Sequence, residues 1–195
     1  MRDPMRRAAV EYAAAGWPIS PAWPLSAASS CTCPAAGACL TPGAHTAGPP
    51  VTDAEGAAEV WRVRPWNICL HTGAVVDVIE AGTALGAQGM RVLERARPPY
   101  PAVARTIERR WLFVVASHSR APGLPDRAVW HGSGSTVLLP PSRRTGGRDR
   151  WVWVPRYGRL PDAARVAEAL HCVRLNEWEV GADDRPTRPE SLFRV

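Results

Sequence analysis

The stretch Asn67-Ile68-Cys69-Leu70-His71-Thr72-Gly73-Ala74-Val75-Val76-Asp77-Val78-Ile79-Glu80 decides the fold class. Residues 67–70 and 74–79 are short apolar runs, too short for buried helices, and read as two strands. Thr72-Gly73 between them reads as a turn. The pattern then changes: Thr83 to Arg95 reads as a helix, stopped by Pro98-Pro99.

Working outward, Asp3-Pro4 pairs an N-cap residue with a proline at the first helical position, so a helix is predicted over Met5 to Ala15, closed by Gly16. Trp17 to Pro21 reads as a short edge strand. Residues 26–50 are small, polar and without periodicity. Thr52-Asp53-Ala54-Glu55 has the form of a capping box and opens a helix over 53–63, which Pro65 ends. Downstream, Trp111–Ala116 and Ser135–Leu139 are strand runs, the second ended by Pro140-Pro141. Arg150 to Val154 alternates Trp and Val and is expected to pair with its predecessor through Gly146-Gly147. Asp162 to Cys172 reads as a closing helix. Helices and strands in this irregular order make an α+β fold and not a doubly wound sheet.

The 195 residues carry 46% hydrophobic and 22% charged side chains, the composition of one globular domain. We expect residues 1–180 to form it, with 31–45 as an insert and 181–195 as a loose tail. Collagen, coiled-coil and wholly disordered classes are excluded, and no apolar run is long enough to span a bilayer. Glu11 interrupts the stretch that would follow Arg2, Arg6 and Arg7 in a signal peptide, so a cytoplasmic location without a membrane partner is expected. All 24 basic residues are arginine, and the net charge of +6 favours an anionic partner such as phosphate.

Cys31, Cys33, Cys39 and His45 are spaced Cys-x-Cys-x5-Cys-x5-His. Three thiolates and an imidazole complete a tetrahedral set for Zn²⁺ and leave no open position, the pattern of a structural ion. Such an ion would order a segment lacking its own apolar core. A disulfide or free surface thiols are the alternatives. Cys69 and Cys172 stand in apolar stretches and read as core residues.

Several pieces, in order, resemble the N-terminal domain of bifunctional DNA primase/polymerases, within the archaeo-eukaryotic primase superfamily. They are Glu11-Tyr12-Ala13-Ala14-Ala15-Gly16-Trp17-Pro18-Ile19-Ser20-Pro21, the Cys31–His45 insert, and Thr52-Asp53 with Trp61. Asn67-Ile68 with Thr72-Gly73 follow, then His131-Gly132-Ser133-Gly134 through Pro140-Pro141-Ser142-Arg143, and Trp151-Val152-Trp153. The resemblance covers roughly residues 8 to 170. It implies a primase-polymerase core and template-directed nucleotidyl transfer, in which acidic side chains hold two Mg²⁺ or Mn²⁺ ions. It also implies DNA or nucleotides as partners, and a separate helicase or replication protein for any unwinding.

In register with the family's first two acids stand Val78 and Glu80. Asp77, one residue earlier, would point to the other face of a regular strand. The third acid falls at or beside Val129, with Asp126 three residues upstream. The family's nucleotide-binding His, which follows a Gly-Arg pair, falls near Trp111, after Arg109-Arg110; His118 and His131 are possible substitutes. Asp77 and Glu80 are therefore the candidate catalytic pair, on a scaffold whose acids are eroded. The resemblance leaves two expectations: a nucleotidyl transferase, or an inactive nucleic-acid-binding or regulatory module on the same scaffold.

Ser142, Arg143, Arg144 and Arg148, in a glycine-bearing turn, are candidates for phosphate or nucleic-acid binding. A solvated hairpin tip is the alternative. His131-Gly-Ser-Gly-Ser135 lacks the Lys and following helix of a P-loop. Of the nine tryptophans, Trp61, Trp66, Trp111 and Trp151 read as core packing rather than base-stacking surfaces.

Overall fold

The computed structural model describes residues 3–117, 123–153 and 159–172; the expected 181–195 tail and His118 lie outside them. In chain order the elements are α1 (Pro4–Ala14), β1 (Ile19–Ala22), a 3-10 turn (Ala36–Ala38), α2 (Ala54–Val63), β2 (Asn67–His71), β3 (Val76–Ala81), α3 (Thr83–Glu94), β4 (Ala102–Arg105), β5 (Trp111–Ala116), β6 (Ala128–His131), β7 (Thr136–Leu139), β8 (Arg143–Arg144), β9 (Gly147–Arg148), β10 (Arg150–Trp153) and α4 (Ala163–His171). The fold is α+β.

Local chemistry sets the helix ends. Asp3 accepts a hydrogen bond from the Met5 amide at 3.0 Å, Pro4 begins α1, and Gly16 at φ 74° turns the chain out. α2 is capped by Asp53, whose carboxylate accepts from the Gly56 amide at 2.7 Å. The expected cap was Thr52, but Asp53 is the residue in the extended cap conformation, and a carboxylate accepts more strongly than a hydroxyl. Asp162 caps α4.

All strand pairs are antiparallel. Five strands form one sheet in the order β10-β4-β5-β3-β6, and three form another in the order β1-β2-β7. β10 therefore pairs with β4, not with β7 as the sequence suggested. The small β8–β9 hairpin takes up the Gly146 turn instead. Trp151 leaves it to pack against α1, donating its indole N–H to the Tyr12 hydroxyl at 2.7 Å.

Two apolar layers flank the five-stranded sheet. Val76, Val78, Ala102, Ala104, Leu112 and Val114 face α1, α2 and the three-stranded sheet. Ile79, Ala81, Val103, Phe113 and Val115 face α3 and α4. Cys69 is buried in the core as expected. Cys172 is not: it forms the exposed C-cap of α4, one residue past the helix's buried face. Trp61 is fully buried, and Trp66, Trp111 and Trp151 are half-buried against the two layers. Among the described residues no helix is long and apolar enough to cross a membrane.

Candidate functional site

β3 runs through the middle of the sheet and pairs with β5 along its whole length without a bulge. Its side chains therefore alternate strictly. Val76, Val78 and Glu80 share the face toward α1 and the three-stranded sheet. Asp77 shares the opposite face with Ile79 and Ala81, toward α3 and α4. Asp77 and Glu80 are both buried, but on opposite sides of the sheet, so their carboxylates do not converge. Asp126 is exposed, in the turn before β6.

β6 supplies the neighbours of Glu80. Val129 lies directly opposite Glu80 and His131 directly opposite Val78, so all four side chains share one face. The Glu80 carboxylate takes two partners there: Arg110 Nε donates to Oε1 at 2.9 Å, and His131 Nε2 lies 3.0 Å from Oε2. An ionised carboxylate only accepts, so the proton of this second bond sits on His131 Nε2. Arg110 is aimed by the tight turn between β4 and β5. Its amide donates to the Thr106 hydroxyl at 3.1 Å, its carbonyl accepts from the Thr106 amide at 2.9 Å, and Arg109 takes the left-handed φ of 65° that the turn needs. Glu80, Arg110 and His131 are each at most 8% exposed. Burial alone would raise the Glu80 carboxyl, but the hydrogen bonds and charges of His131 and Arg110 outweigh it and hold it below the usual glutamate value of 4.5. The pairing of Arg110 with Glu80 was not visible in the sequence.

The turns at the end of this face lock together. The Thr72 hydroxyl donates to the Gly132 carbonyl at 2.6 Å. Gly73, at φ 107°, packs so closely on the next turn that a Cβ would lie 2.3 Å from Ser133 Cα. The Gly-Ser-Gly run after His131 is thus a packing device. His71 closes β2 with Nε2 2.6 Å from the Ser20 hydroxyl, and burial lowers its basicity.

The second cluster lies in the insert. The ligand atoms of Cys31, Cys33, Cys39 and His45 all fall within 4.8 Å of one another. His45 Nε2 is 3.3 Å from both Cys31 Sγ and Cys39 Sγ. Around a tetrahedral Zn²⁺, adjacent sulfur and nitrogen ligands sit about 3.6 Å apart, so little movement would bring a metal into bonding range. The thiols already compete. Burial raises the Cys31 thiol, but hydrogen bonds from the Gly43 and Cys33 backbone and from His45 and Cys33 bring it down to about 6. Cys39 is pushed up to about 11, first by burial and then by neighbouring Cys31 and Cys33. A divalent cation relieves this crowding, and the cluster could hold a metal ion such as zinc. Among the described residues no other set of three Cys, His, Asp or Glu side chains gathers this way.

The profile of the family described as bifunctional DNA primase/polymerase, N-terminal, matches residues 9–168. The chain belongs to that family. No curated protein and no solved structure gives a match. Membership in the primase/polymerase family implies interaction with DNA or nucleotides.

The arginine turn of this primase/polymerase domain divides into two parts. Ser142 is fully buried; its hydroxyl accepts from the Ile68 amide at 2.9 Å and so holds β2 to the turn. Arg144 Nε donates to Asp149 at 2.9 Å, and its Nη1 lies 3.3 Å from Glu108. Arg143 and Arg148 are exposed. Asn67 joins this turn to the metal insert. Its Nδ2 donates to the Gly43 and Arg143 carbonyls at 2.9 and 2.8 Å, and its Oδ1 accepts from the Arg143 amide at 2.9 Å.

Proposed function

We propose that this chain is a primase-polymerase core that binds DNA or nucleotides but does not carry out two-metal nucleotidyl transfer. One observation carries this. Of the positions in register with the family's metal-holding acids, 78 and 80 hold Val and Glu on one face, and the third, at or beside 129, falls on β6, where Val129 lies opposite Glu80. Mg²⁺ and Mn²⁺ demand several oxygen ligands, and valine offers none. The one carboxylate left already has Arg110 and His131 on its two oxygens. These residues do not fit a divalent-ion pair. Asp77 cannot complete one, since it projects from the other face of β3.

The Cys31, Cys33, Cys39 and His45 cluster is the structural half of the proposal. Zn²⁺ there has four protein ligands, supplies no reactive position, and orders the insert against β1 and β2.

The test is primer extension by the zinc-loaded chain with deoxynucleoside triphosphates and Mn²⁺, alongside binding of a labelled oligonucleotide. Oligonucleotide binding without incorporation is expected. Mn²⁺-dependent incorporation that is lost in Glu80→Gln, with that variant folded, would overturn the proposal.

A further inference from the structure

Three arginines from two separate parts of the chain meet at one groove. Arg64 follows α2, while Arg143 and Arg148 lie on the β8–β9 hairpin. With Thr32 of the metal insert, Leu25 just before it and Asn67 of β2, they line a cavity of about 200 Å³. All three arginines are exposed, and among the described residues none forms an ion pair. Their neighbour Arg144 shows the contrast, since Asp149 and Glu108 neutralise it. Three like charges gathered around a groove without a counter-charge repel one another until an anion arrives.

Arg64 is also held in place. Its guanidinium lies 4.9 Å from the Trp66 ring centre and 5.9 Å from that of Trp23, and the two indoles meet edge to face at 5.2 Å. A guanidinium already stacked loses less freedom when it takes a ligand. Arg64, Trp23 and Trp66 together make an aromatic and guanidinium cluster of the kind on which unstacked bases pack. The hairpin arginines are fixed at their base by Asn67, which ties the Arg143 backbone to Gly43 of the insert.

We propose that this groove binds the sugar-phosphate backbone of single-stranded nucleic acid, with Arg64, Arg143 and Arg148 as the phosphate contacts. A cavity of about 200 Å³ suits the backbone of one strand and cannot enclose a duplex. Isolated arginines serve phosphate better than a polar surface would, because each guanidinium presents paired N–H donors to two phosphate oxygens. The site shares no residue with the Glu80 face. It rests on the nucleic-acid reading above and gives that reading a location.

The experiment is fluorescence anisotropy of a labelled oligothymidylate of about 15 nucleotides, titrated with the zinc-loaded full chain at several salt concentrations. Arg64→Gln/Arg143→Gln/Arg148→Gln is compared with Arg91→Gln/Arg95→Gln/Arg97→Gln. The second set removes the same charge from exposed positions in and just after α3. Each single-strand phosphate contact contributes about 0.7 to the slope of log affinity against log salt, so the groove variant should lose about 2 from that slope. Between roughly 50 and 200 mM salt, its affinity should therefore fall about 18-fold less than that of the wild type. The α3 variant should keep the wild-type slope. Circular dichroism establishes that both variants are folded. Wild-type binding with an unchanged slope in the groove variant overturns the groove and leaves the nucleic-acid reading standing. Equal losses in both variants show a diffuse charge effect, and duplex binding as tight as single-strand binding removes the single-strand assignment; either overturns the proposal. No wild-type binding to any oligonucleotide overturns both the groove and the reading it rests on.

Discussion

Glu80→Ala tests whether the surviving acid is now a structural group. The substitution removes the carboxylate that pairs with Arg110, itself buried at 6% exposure, and that accepts from His131. Removing one partner of a buried ion pair costs about 3–5 kcal/mol, mostly from the stranded charge. For a chain of this size that corresponds to a melting temperature lower by about 6–20 °C. The assay is urea unfolding at pH 7.5, followed by circular dichroism, for wild type, Glu80→Ala, Arg110→Ala and the double variant. The double variant should be less destabilised than the sum of the singles, because both singles remove the same interaction. A pH series adds a second reading. The Glu80 carboxyl is held below its usual 4.5, so its contribution is complete above that value and is lost as pH falls through the lower folded value. Wild-type stability should thus drop more steeply than that of Glu80→Gln below pH 4.5. The thiols and the metal contribute equally to both chains and cancel in the comparison. A cost below about 1 kcal/mol for Glu80→Ala, with additive singles, would refute the ion-triad reasoning.

Two further predictions concern the insert. Metal analysis should find one zinc per chain, and Co²⁺ substitution should give the visible absorption of a tetrahedral thiolate site. At free zinc of about 100 times the dissociation constant the ion contributes about 2.7 kcal/mol, so a chelator should lower the melting temperature by roughly 5–11 °C. A zinc-free chain indifferent to chelator would count against the site. Asn67→Ala removes three hydrogen bonds at a position 1% exposed. At about 1 kcal/mol each, the loss is about 3 kcal/mol by urea unfolding. A loss under about 1 kcal/mol would show that Asn67 does not staple the insert to the arginine turn.

Where local chemistry sets an element, the sequence showed it. Asp3-Pro4 and Gly16 bound α1, and the β-branched runs marked β2, β3 and β5. The spacing of Cys31, Cys33, Cys39 and His45 pointed to a metal cluster, and the structure draws those atoms together. β4 and β6 are only four residues long, too short for a clear alternation, and their ladders come from neighbouring strands. The β10 partner was misjudged. A nearby glycine turn suggested a hairpin, whereas the Trp151 contact with Tyr12 sends the strand to β4. The alternation rule placed Asp77 opposite Glu80 correctly in advance, since it needs only an unbroken strand. The Arg110–Glu80–His131 triad could not be read from the sequence. It joins three segments up to 51 positions apart, and only the register of β3 with β5 and β6 brings them together.

On the function proposed above, that triad also explains how the fold persists with valine in place of metal-holding acids. Three carboxylates on one buried face repel one another, and each resists burial unless cations are present. In the chemistry implied by the family, divalent ions supply that charge. Here Val78 is fully buried in the layer shared with α1 and the three-stranded sheet. One negative charge remains, and the guanidinium of Arg110 balances it while His131 satisfies the second oxygen. The Glu80 carboxylate is thus buried, ion-paired and hydrogen-bonded by the chain's own side chains. A chain with Asp at 78 would lose a fully buried apolar side chain and place a second carboxylate on the face of Glu80. Restoring the family's acids one at a time should therefore destabilise the sheet before it creates a metal site.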